Sequence, residues 1–499
     1  MLLKMVLHLL RCLFLPNCHL YCIHMSTKKL LPPKTGDLSD WYTSIIALAE
    51  LADYGPAKGT MIIRPYGYAI WERAVAELDA EIKKKGVSNA YFPLFIPMSL
   101  LQKEADHVEG FAPELAVVTH GGGEELEEKL VVRPTSETIM YQSYSKWVQS
   151  WRDLPVLINQ WNNVVRWEKR TMPFMRTSEF LWQEGHTAHA THQEASAMQL
   201  WGIETYAKIY RDIFAMDGYE GYKSQSERFA GADNTLTYES LMPSGKALQA
   251  CTSHDLGQNF SKPFDISFQD KEGNTQYVWQ TSWGFSTRSI GGLILAHGDD
   301  NGLVLPPRLA PYEVVIVPVK PEDEEISAYC KSLLETLSSK VRVTLDDRDD
   351  ESFGYRLNKW EVKGVPLVIK IGKKEVEQQT ITAKRRVDGV EVTISLDELV
   401  SKVAEILSDI QLTMFTKSKL HLDAETRTAQ NYDEFKKLLV EHKGFIKVYW
   451  NDDADIEKKI KDETKATSRC KPIHLQGGEG TDFMTGKPAK DVWLFALSY

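Results

Sequence analysis

Residues 131–189 constrain the fold more than any other stretch, because they encode two strands joined by a charged loop. Residues 163–168 (NVVRWE) continue an apolar, β-branched run and predict a strand with Arg166 and Glu168 on one face. KRTMPFM follows as a predicted loop, and RTSEFLWQ predicts a second strand that begins at Arg176. Interleaved along the stretch are Arg133, Arg166, Arg170 and Arg176 with Glu137, Glu168, Glu179 and Glu184.

Arg166, with Glu168 two residues further on, supports two interpretations. An arginine held on a rigid strand is a fixed fork of donors, and such forks suit phosphate oxygens. The alternative is an ordinary ion pair on a half-exposed hairpin, which is the common case for surface charges. These two residues alone do not decide between the interpretations.

Longer strings around the arginines favour the first interpretation. RPTSE at 133–137, NQWNNVVRWE at 159–168, FLWQEGH at 180–186 and TSHDLGQNFSKPFDI at 252–266 follow one another in this order. The Arg-x-Glu strand, the loop and the second arginine resemble motif 2 of the class II aminoacyl-tRNA synthetases. Together the strings resemble the prolyl-tRNA synthetases of the eukaryotic and archaeal type, from about residue 38 to residue 499.

Two further segments resemble the other motifs of that class. A helix predicted over 66–85, followed by NAYFPLFIP at 89–97, is similar to motif 1, with Pro93 at the family's proline position. This motif implies a homodimer. Gly284 and Arg288, in Gly-Phe-Ser-Thr-Arg, resemble motif 3. The double-glycine form of that motif is absent, a departure that matches the prolyl branch.

The resemblance implies an α/β fold of the α+β kind. It comprises a class II antiparallel sheet with helices, an α/β anticodon-binding domain and a small α+β C-terminal domain. The alternation of strands and helices after residue 310 predicts a largely parallel sheet in the second domain. The expected boundaries are 1–25 for an N-terminal extension outside the fold, 26–308 for the catalytic domain, 309–411 for the anticodon-binding domain and 412–499 for the C-terminal domain. The interval 176–288 is too short for an editing insertion, so none is expected.

The implied activity is that of an aminoacyl-tRNA ligase that joins L-proline to tRNA(Pro) at the expense of ATP, supplied as its Mg²⁺ complex. Such transfer depends on positioning and on charge neutralisation, so Arg166 and Arg288 are the expected catalytic residues. The family's proline site maps to Thr135, Glu137, Arg166, Trp182, His186, Phe229, His254 and Ser282. Its ATP site maps to Arg166, Glu168, Arg176, Thr177, Gln249, Thr252, Ser286 and Arg288.

Thr135 and Glu137 also have a local interpretation. Their spacing matches a capping box at the start of a helix predicted over 136–147. Under the resemblance, Glu137 instead accepts a charge-assisted hydrogen bond from the secondary ammonium of proline. Both interpretations stay open from the sequence.

No metal site is expected. His186, His189 and His192 are three residues apart, but no HExxH motif or nearby cysteine accompanies them. On a helix, successive residues at this spacing are rotated around the axis, so the three do not point in one direction. Only His186 falls in the family's substrate pocket, and the other two histidines are expected to be ordinary helix residues. The family's C-terminal domain often holds zinc on four cysteines. Here only Cys470 remains, so no structural zinc is expected.

Charge and cysteine content bear on partners and compartment. The net charge of -10 gives no global attraction to nucleic acid, so RNA contacts must come from local basic residues. The six cysteines include no CxxC pair, which favours a reducing compartment, and a cytoplasmic location is expected. Basic and aromatic side chains suited to an unstacked anticodon loop are Arg356, Lys359, Trp360, Lys363, Lys370, Lys384, Arg385 and Arg386.

Residues 1–24 are apolar, weakly basic and free of acidic side chains. This composition is compatible with a secretory signal or a mitochondrial presequence. The apolar run is too short and too interrupted to predict a membrane span, and no membrane partner is expected. Because the resemblance begins after it and Met25 is followed by Ser-Thr-Lys-Lys, an upstream extension without a role is favoured.

Two other functions are weaker. A class II synthetase for threonine would need a zinc-binding Cys/His set in its pocket, which the sequence does not show. A synthetase-like paralogue that only binds RNA or regulates would have eroded motif arginines, whereas Arg166, Arg176 and Arg288 are all present.

Overall fold

The computed structural model describes residues 31–103, 115–475 and 477–499 of the chain. The predicted extension at 1–25 lies outside the described residues, as does the start at Met25. Within the described ranges, no helix is both long enough and apolar enough to cross a membrane.

Two amphipathic helices open the described chain. Asp37 caps the first helix, because its carboxylate accepts hydrogen bonds from the backbone N–H groups of Ser39 and Asp40, at 2.8 and 3.2 Å. The second begins with Pro65 in its first turn, where proline costs no hydrogen bond. The elements up to residue 101 are α1 (Leu38–Leu48), β1 (Ala52–Tyr54), β2 (Met61–Ile63), α2 (Pro65–Lys84), β3 (Ser88–Asn89), β4 (Phe95–Pro97) and α3 (Met98–Leu101).

The main sheet is formed by the next part of the chain. Its elements are β5 (Ala116–Gly121), β6 (Glu124–Val132), α4 (Glu137–Trp147), β7 (Val156–Val165), β8 (Glu179–His189), α5 (His192–Asp212), β9 (Gly218–Tyr222), β10 (Asn234–Leu241), β11 (Ala247–Gly257), β12 (Ser267–Gln269), β13 (Thr275–Tyr277), β14 (Trp279–Ser286) and α6 (Arg288–His297). Strands β9-β10-β11-β14-β8-β7 are neighbours in that order, and each pair is antiparallel. The expected antiparallel class II sheet is therefore confirmed.

One apolar core joins this sheet to the helices. It contains Trp41 of α1, Trp71 of α2, Tyr206 of α5, Trp283 of β14 and Ile290 of α6, all buried. The rings of Trp71 and Phe285 stack with centroids 5.8 Å apart, so α2 is held against β14. The sheet is a rigid platform for the side chains on its open face.

The second segment carries a five-stranded sheet with strand order β16-β15-β17-β18-β19. Its elements are β15 (Val314–Pro318), α7 (Glu324–Ser338), β16 (Val343–Leu345), α8 (Phe353–Val362), β17 (Leu367–Ile371), α9 (Lys373–Gln378), β18 (Thr380–Arg385) and β19 (Glu391–Ser395). Strands β16, β15 and β17 are parallel, but β18 and β19 are antiparallel. The prediction of a largely parallel sheet is therefore wrong for β18 and β19. The connections that follow β17 are short, and a short connection allows an antiparallel pair, whereas a parallel pair needs a longer crossover.

The last segment extends the main sheet rather than standing apart from it. Its elements are α10 (Leu399–Ala424), β20 (Thr426–Thr428), α11 (Tyr432–Glu441), β21 (Phe445–Tyr449), α12 (Ala454–Thr464), β22 (Thr467–Pro472), β23 (Gly480–Thr481), β24 (Pro488–Ala489) and β25 (Val492–Ala496). Strand β22 pairs with β9, so one sheet of eleven strands runs from β20 to β3. Helix α10 continues to Ala424, past the expected domain boundary at residue 411.

Candidate functional site

A cavity of about 260 Å³ opens on the face of β8, β14, β11 and β10. It collects most of the residues that the resemblance assigned to proline and ATP. The predicted residues that line it are Thr135, Glu137, Arg166, Trp182, His186, Phe229, Gln249, Thr252, His254, Ser282, Ser286 and Arg288. Residues from segments more than 150 positions apart therefore meet in one place.

The two strands of the hairpin around Arg166 are shorter than predicted. Strand β7 ends at Val165 and β8 begins at Glu179, so Arg166, Glu168 and Arg176 all lie in the connection rather than on strands. One further backbone bond, from Arg166 N–H to the Ser178 carbonyl at 2.9 Å, still holds the base of the loop. Arg166 therefore has a fixed backbone although it is outside the strand.

Arg166 is oriented from three sides. Its Nε donates to the Pro134 carbonyl at 3.1 Å, and its guanidinium lies 5.4 Å from the ring of Trp182 and 5.6 Å from that of Phe180. Cation–π contacts of this kind hold a guanidinium in place beside the cavity. The interpretation of Arg166 as a phosphate fork stays a prediction.

Arg288 begins helix α6 at the opposite wall of the cavity. Its Nε donates to the Met175 carbonyl at 3.3 Å and its Nη1 to the Gln249 carbonyl at 3.5 Å. Burial lowers the pKa of the Arg288 guanidinium, and the positive charges of Arg166 and Arg176 lower it further. Three guanidinium groups that repel one another form a site whose energy falls when an anion binds.

Glu137 and Thr135 do not form the capping box that their spacing allowed. Helix α4 starts at Glu137 with Ser136 as its N-cap, and no side-chain hydrogen bond caps it. The Thr135 hydroxyl donates instead to the Glu137 carboxylate, and both side chains are buried and line the cavity. A buried carboxylate at this place suits a cationic ligand group.

Glu184 is a buried residue of the cavity that the sequence analysis did not assign. Its carboxylate accepts hydrogen bonds from Ser136 Oγ at 2.5 Å, Asn162 Nδ2 at 2.6 Å, His186 Nε2 at 3.0 Å and Gln160 Nε2 at 3.1 Å. Burial alone would raise the pKa of Glu184, but these donors, led by His186, lower it below its ordinary value. The carboxylate therefore stays ionised in the interior.

His186 is the partner of that carboxylate. Burial lowers its pKa, but the hydrogen bond that His186 donates to Glu184 and the negative charges of Glu137 and Glu184 outweigh burial and raise it above the ordinary value. The ring is also near the Tyr141 hydroxyl, 3.3 Å from Nδ1. At the floor of the cavity, the neighbouring carboxylates thus favour the protonated form of His186 over the neutral form more than water does.

This raised pKa predicts a pH dependence of stability. A group whose pKa is raised on folding stabilises the folded protein fully below its unfolded pKa, here 6.5, and the stabilisation is lost as the pH rises through the folded value. We expect the free energy of unfolding of the wild type, relative to His186→Gln, to fall as the pH increases above 6.5. Urea unfolding of both proteins at a series of pH values measures it. A difference that stays constant or grows would contradict the assignment.

The pKa of His254 is shifted in the opposite direction from that of His186. Burial and the positive charges of His186 and Arg166 lower the pKa of His254 to about 3, so its ring is neutral near pH 7. Its nitrogens are 2.9 Å from Thr235 Oγ1 and 3.0 Å from Thr252 Oγ1, and it stacks on Phe229 with centroids 4.4 Å apart. The stacked rings of His254 and Phe229 form a flat, uncharged wall in the cavity that Glu137 and Glu184 also line.

At the floor of the cavity, Gly185 contacts the ring of Trp283. A Cβ on Gly185 would lie 2.2 Å from the ring of Trp283, so only glycine allows the indole to lie under β8. Among the described residues, the hydroxyl of Ser282, next to this contact, has no hydrogen-bond partner. Ser282 lines the cavity, and its hydroxyl can serve a bound ligand.

Three predicted ATP residues do not line this cavity. Glu168 and Arg176 face each other, with 3.7 Å between Oε1 and Nε, and Arg176 lines a second cavity beside the first. Thr177 is buried, and its hydroxyl donates to the Glu179 carbonyl at 2.7 Å, which is a role in the hairpin rather than a ligand contact. The assignment of Thr177 to ATP is not supported by this geometry.

Several lining residues were missed by sequence reasoning. These are Phe180, Glu184, Lys223, Glu227, Thr235 and Trp283. The spacing Glu184–His186 was a usable signal, because residues two apart on a strand face the same side. Lys223 and Glu227 carried no local signal, because their segment between β9 and β10 is irregular and reaches the cavity only through the fold.

The histidine string is not the helix that was expected. His186 and His189 belong to strand β8, and only His192 lies in a helix, as the first residue of α5. Tertiary pairing of β8 with β7 and β14 decided this. In the described residues, no group of three or more His, Cys, Asp or Glu side chains is arranged to hold a metal. The absence of structural zinc remains a prediction, and Cys470 is buried in β22.

The basic residues predicted to read the anticodon divide into two groups. Arg356 is buried and donates to the carbonyls of Asp346 at 2.6 Å and Pro318 at 2.9 Å, so its assignment to RNA is wrong. Arg386 forms a bidentate pair with Asp299, which joins the second segment to the first. Lys370 and Lys384, which line a surface groove, remain candidates for RNA contact.

The antiparallel sheet with its arginine-lined cavity defines the core of a class II aminoacyl-tRNA synthetase. Residues 118–297 match the family model described as tRNA synthetase class II core domain (G, H, P, S and T), and residues 313–406 match the one described as anticodon binding domain. Residues 432–499 match the model described as prolyl-tRNA synthetase, C-terminal. The chain belongs to the prolyl-tRNA synthetase family.

Similar proteins named proline–tRNA ligase support this assignment. The chain is 50% identical to one from Natranaerobius thermophilus over 452 residues, which cover 90% of this chain and 94% of the relative. It is 49% identical to the chloroplastic/mitochondrial proline–tRNA ligase of Arabidopsis thaliana over 485 residues, 95% of this chain and 89% of the relative. These relatives are bacterial and plant proteins, so the narrower likeness to the eukaryotic and archaeal type stays a prediction.

Proposed function

We propose that the cavity bounded by Glu137, Arg166 and Arg288 is the site at which this chain activates L-proline and charges tRNA(Pro). The reaction is that of an aminoacyl-tRNA ligase. Proline and ATP give prolyl-adenylate and pyrophosphate, and the prolyl group then passes to the 3′ end of the tRNA. The observation that carries the proposal is a buried carboxylate and two buried or oriented guanidinium groups in one cavity.

The first step needs no protein nucleophile. A carboxylate oxygen of proline attacks the α-phosphorus of ATP, a new O–P bond forms, and the bond to pyrophosphate breaks. Arg166 is assigned to the α-phosphate and the proline carboxylate, and Arg176 and Arg288 to the outer phosphates, with Mg²⁺ entering as part of the ATP complex. Glu168, beside Arg176, orients that arginine or the adenine. Fixed charges of this kind stabilise the negative charge that develops in the transition state.

Proline is held by its ammonium group in this proposal. Glu137, oriented by the Thr135 hydroxyl, accepts a charge-assisted hydrogen bond from the secondary ammonium. The stacked rings of Phe229 and His254, with Trp182 across the cavity, flank the apolar ring of proline. Ser282 and His186 provide the remaining polar contacts to proline at the floor of the cavity.

Replacement of Glu137 tests this arrangement. A hydrogen bond to a charged group contributes roughly 1.5–3 kcal/mol, so Glu137→Gln is expected to raise the KM for proline by about 10- to 150-fold. The KM for ATP is expected to change little, because Glu137 is not assigned to the nucleotide. Steady-state ATP–pyrophosphate exchange measures both constants. Glu127→Gln, an exposed change on β6, is the matched control.

The substrate is tested by amino-acid-dependent exchange across all twenty amino acids with the purified full chain. Exchange with proline far above the others is the expected result. Strong exchange with threonine would show that the class is right and the substrate wrong. No exchange with any amino acid, with the motif arginines intact, would favour an RNA-binding paralogue.

We also propose a homodimer in the cytoplasm. Large apolar side chains are exposed at Tyr54, Ile62, Tyr91, Phe95 and Val117, in and around the motif 1 region. Exposed apolar surface of this kind marks association surfaces. Sedimentation velocity of the full chain tests the dimer, and a sedimentation coefficient of a single 56.8 kDa chain would reject it.

A further inference from the structure

A second cavity, of about 520 Å³, lies beside the proposed active site; we name it the vestibule. It shares Glu227, Gln249 and Arg288 with the first cavity, so the two are continuous. One wall is the loop after β7. The opposite wall comes from the C-terminal segment, at the end of α12 and the start of β22.

The vestibule is strongly basic although the chain as a whole is acidic. Six cationic side chains line it, namely Arg170, Arg176, Arg288, Lys461, Lys465 and Arg469. Glu227 is the acidic side chain among its lining residues. With a net charge of -10 for the whole protein, this concentration of positive charge is a local feature that attracts an anion.

These cations differ in how far they are already neutralised. Arg469 is buried and bonded twice to Glu239, so it belongs to the fold. Lys461 is exposed and lies 3.5 Å from Glu227. Lys465 donates to the Asp462 carbonyl at 3.1 Å, and among the described residues no carboxylate forms an ion pair with it. Lys465 therefore contributes a positive charge that no carboxylate of the described residues balances in an ion pair.

Two explanations compete for the lysines of α12. Cations near a helix C-terminus interact favourably with its dipole, and this alone accounts for lysines in the last turn. It does not explain why Lys461 in the last turn and Lys465, the residue that follows the helix, both line the vestibule. Lys458 and Lys459 lie on the same helix, and neither lines the vestibule.

We propose that Lys461 and Lys465 bind the phosphates of the 3′-terminal nucleotides of the tRNA as its end enters the active site. The inference rests on the proposed function, because the 3′ hydroxyl must reach the activated proline in the first cavity. The vestibule leads directly there, and single-stranded RNA brings one negative charge for each nucleotide. The C-terminal segment thereby takes part in tRNA charging as well as in the fold.

The test compares Lys461→Gln/Lys465→Gln with the control Lys458→Gln/Lys459→Gln. All four side chains are exposed, so both variants are expected to fold as the wild type does. For the first variant we expect the KM for tRNA in aminoacylation to rise by about tenfold, and the dependence of log Kd on log salt to lose a slope of about 1.4 for two single-strand phosphate contacts. ATP–pyrophosphate exchange without tRNA is expected to be unchanged.

A truncated tRNA locates the contact. The Lys461→Gln/Lys465→Gln variant is expected to bind intact tRNA more weakly than wild type, and to bind tRNA lacking its three 3′-terminal nucleotides as well as wild type does.

Three results would overturn the proposal. They are an unchanged KM for tRNA, an equal loss in the control variant, or a raised KM for ATP in exchange, which would assign Lys461 and Lys465 to the phosphates of ATP. Loss of proline-dependent exchange in the wild type would instead reject the proposed function.

Discussion

Replacing Arg288 by glutamine is expected to lower kcat/KM for proline-dependent ATP–pyrophosphate exchange by about 10²–10³-fold, the usual cost of one preorganised transition-state donor. Arg288 is half-buried, is anchored to the carbonyls of Met175 and Gln249, and shares the cavity with Arg166. Glutamine keeps much of the side-chain length but removes the charge. The loss should therefore fall on the chemical step, where negative charge develops.

The same change should leave the fold intact. Burial and the neighbouring guanidinium groups already disfavour the charged form of Arg288, as its lowered pKa shows. The urea midpoint of Arg288→Gln is therefore expected to equal or exceed that of the wild type, which separates a catalytic loss from unfolding. Arg152→Gln, an exposed cation outside the cavity, is the matched control. An exchange rate within about threefold of wild type would remove Arg288 from the mechanism.

Replacing Arg469 by methionine is expected to destabilise the protein by about 3–5 kcal/mol, the usual cost of leaving one buried charge without its partner. Arg469, on β22, donates to the buried Glu239 carboxylate of β10 from Nε at 3.0 Å and from Nη2 at 2.8 Å. Lys223 lies 3.5 Å from the other oxygen and donates to the Arg469 carbonyl at 3.2 Å. The three side chains join the C-terminal segment to the wall of the active-site cavity.

Urea unfolding of the full chain measures this effect. Lys402→Met, which removes one partner of the exposed Lys402–Glu405 pair, is the control and is expected to change stability by less than about 1 kcal/mol. Because Lys223 lines the cavity, Arg469→Met should also raise the KM for proline in folded samples. Equal stabilities of the two variants would show that Glu239 does not depend on Arg469.

Buried carboxylates show how far the sequence could lead. Glu137 was found through the string RPTSE, although the local pattern also allowed a capping box. Only the structure, in which no side-chain hydrogen bond caps α4, distinguishes the ligand-binding interpretation from the capping box. Glu184 was within reach, since it lies two positions before His186 on the same strand. It was missed because its partners Ser136, Asn162 and Gln160 come from other elements.

Basic residues show where sequence reasoning failed. The composition around 355–386 predicted an RNA surface, but Arg356 is inside the second sheet's layer and Arg386 holds Asp299 of the first segment. Conversely, Lys461 and Lys465, at the end of an acidic helix, had no apparent role in the sequence and line the vestibule in the structure. A charged residue in a sequence does not reveal whether its partner is solvent, a carbonyl or a distant carboxylate.

The sequence by itself determined the family, the antiparallel sheet, most helices and the main residues of the cavity, because these depend on local periodicity and on long ordered strings. The tertiary structure decided that the C-terminal strands continue the catalytic sheet, that Arg166 lies past its strand, and which charges are paired. The physical reason is distance along the chain. Arg469 and Glu239 are separated by 230 residues, and such pairs form only when strand order and register bring them together.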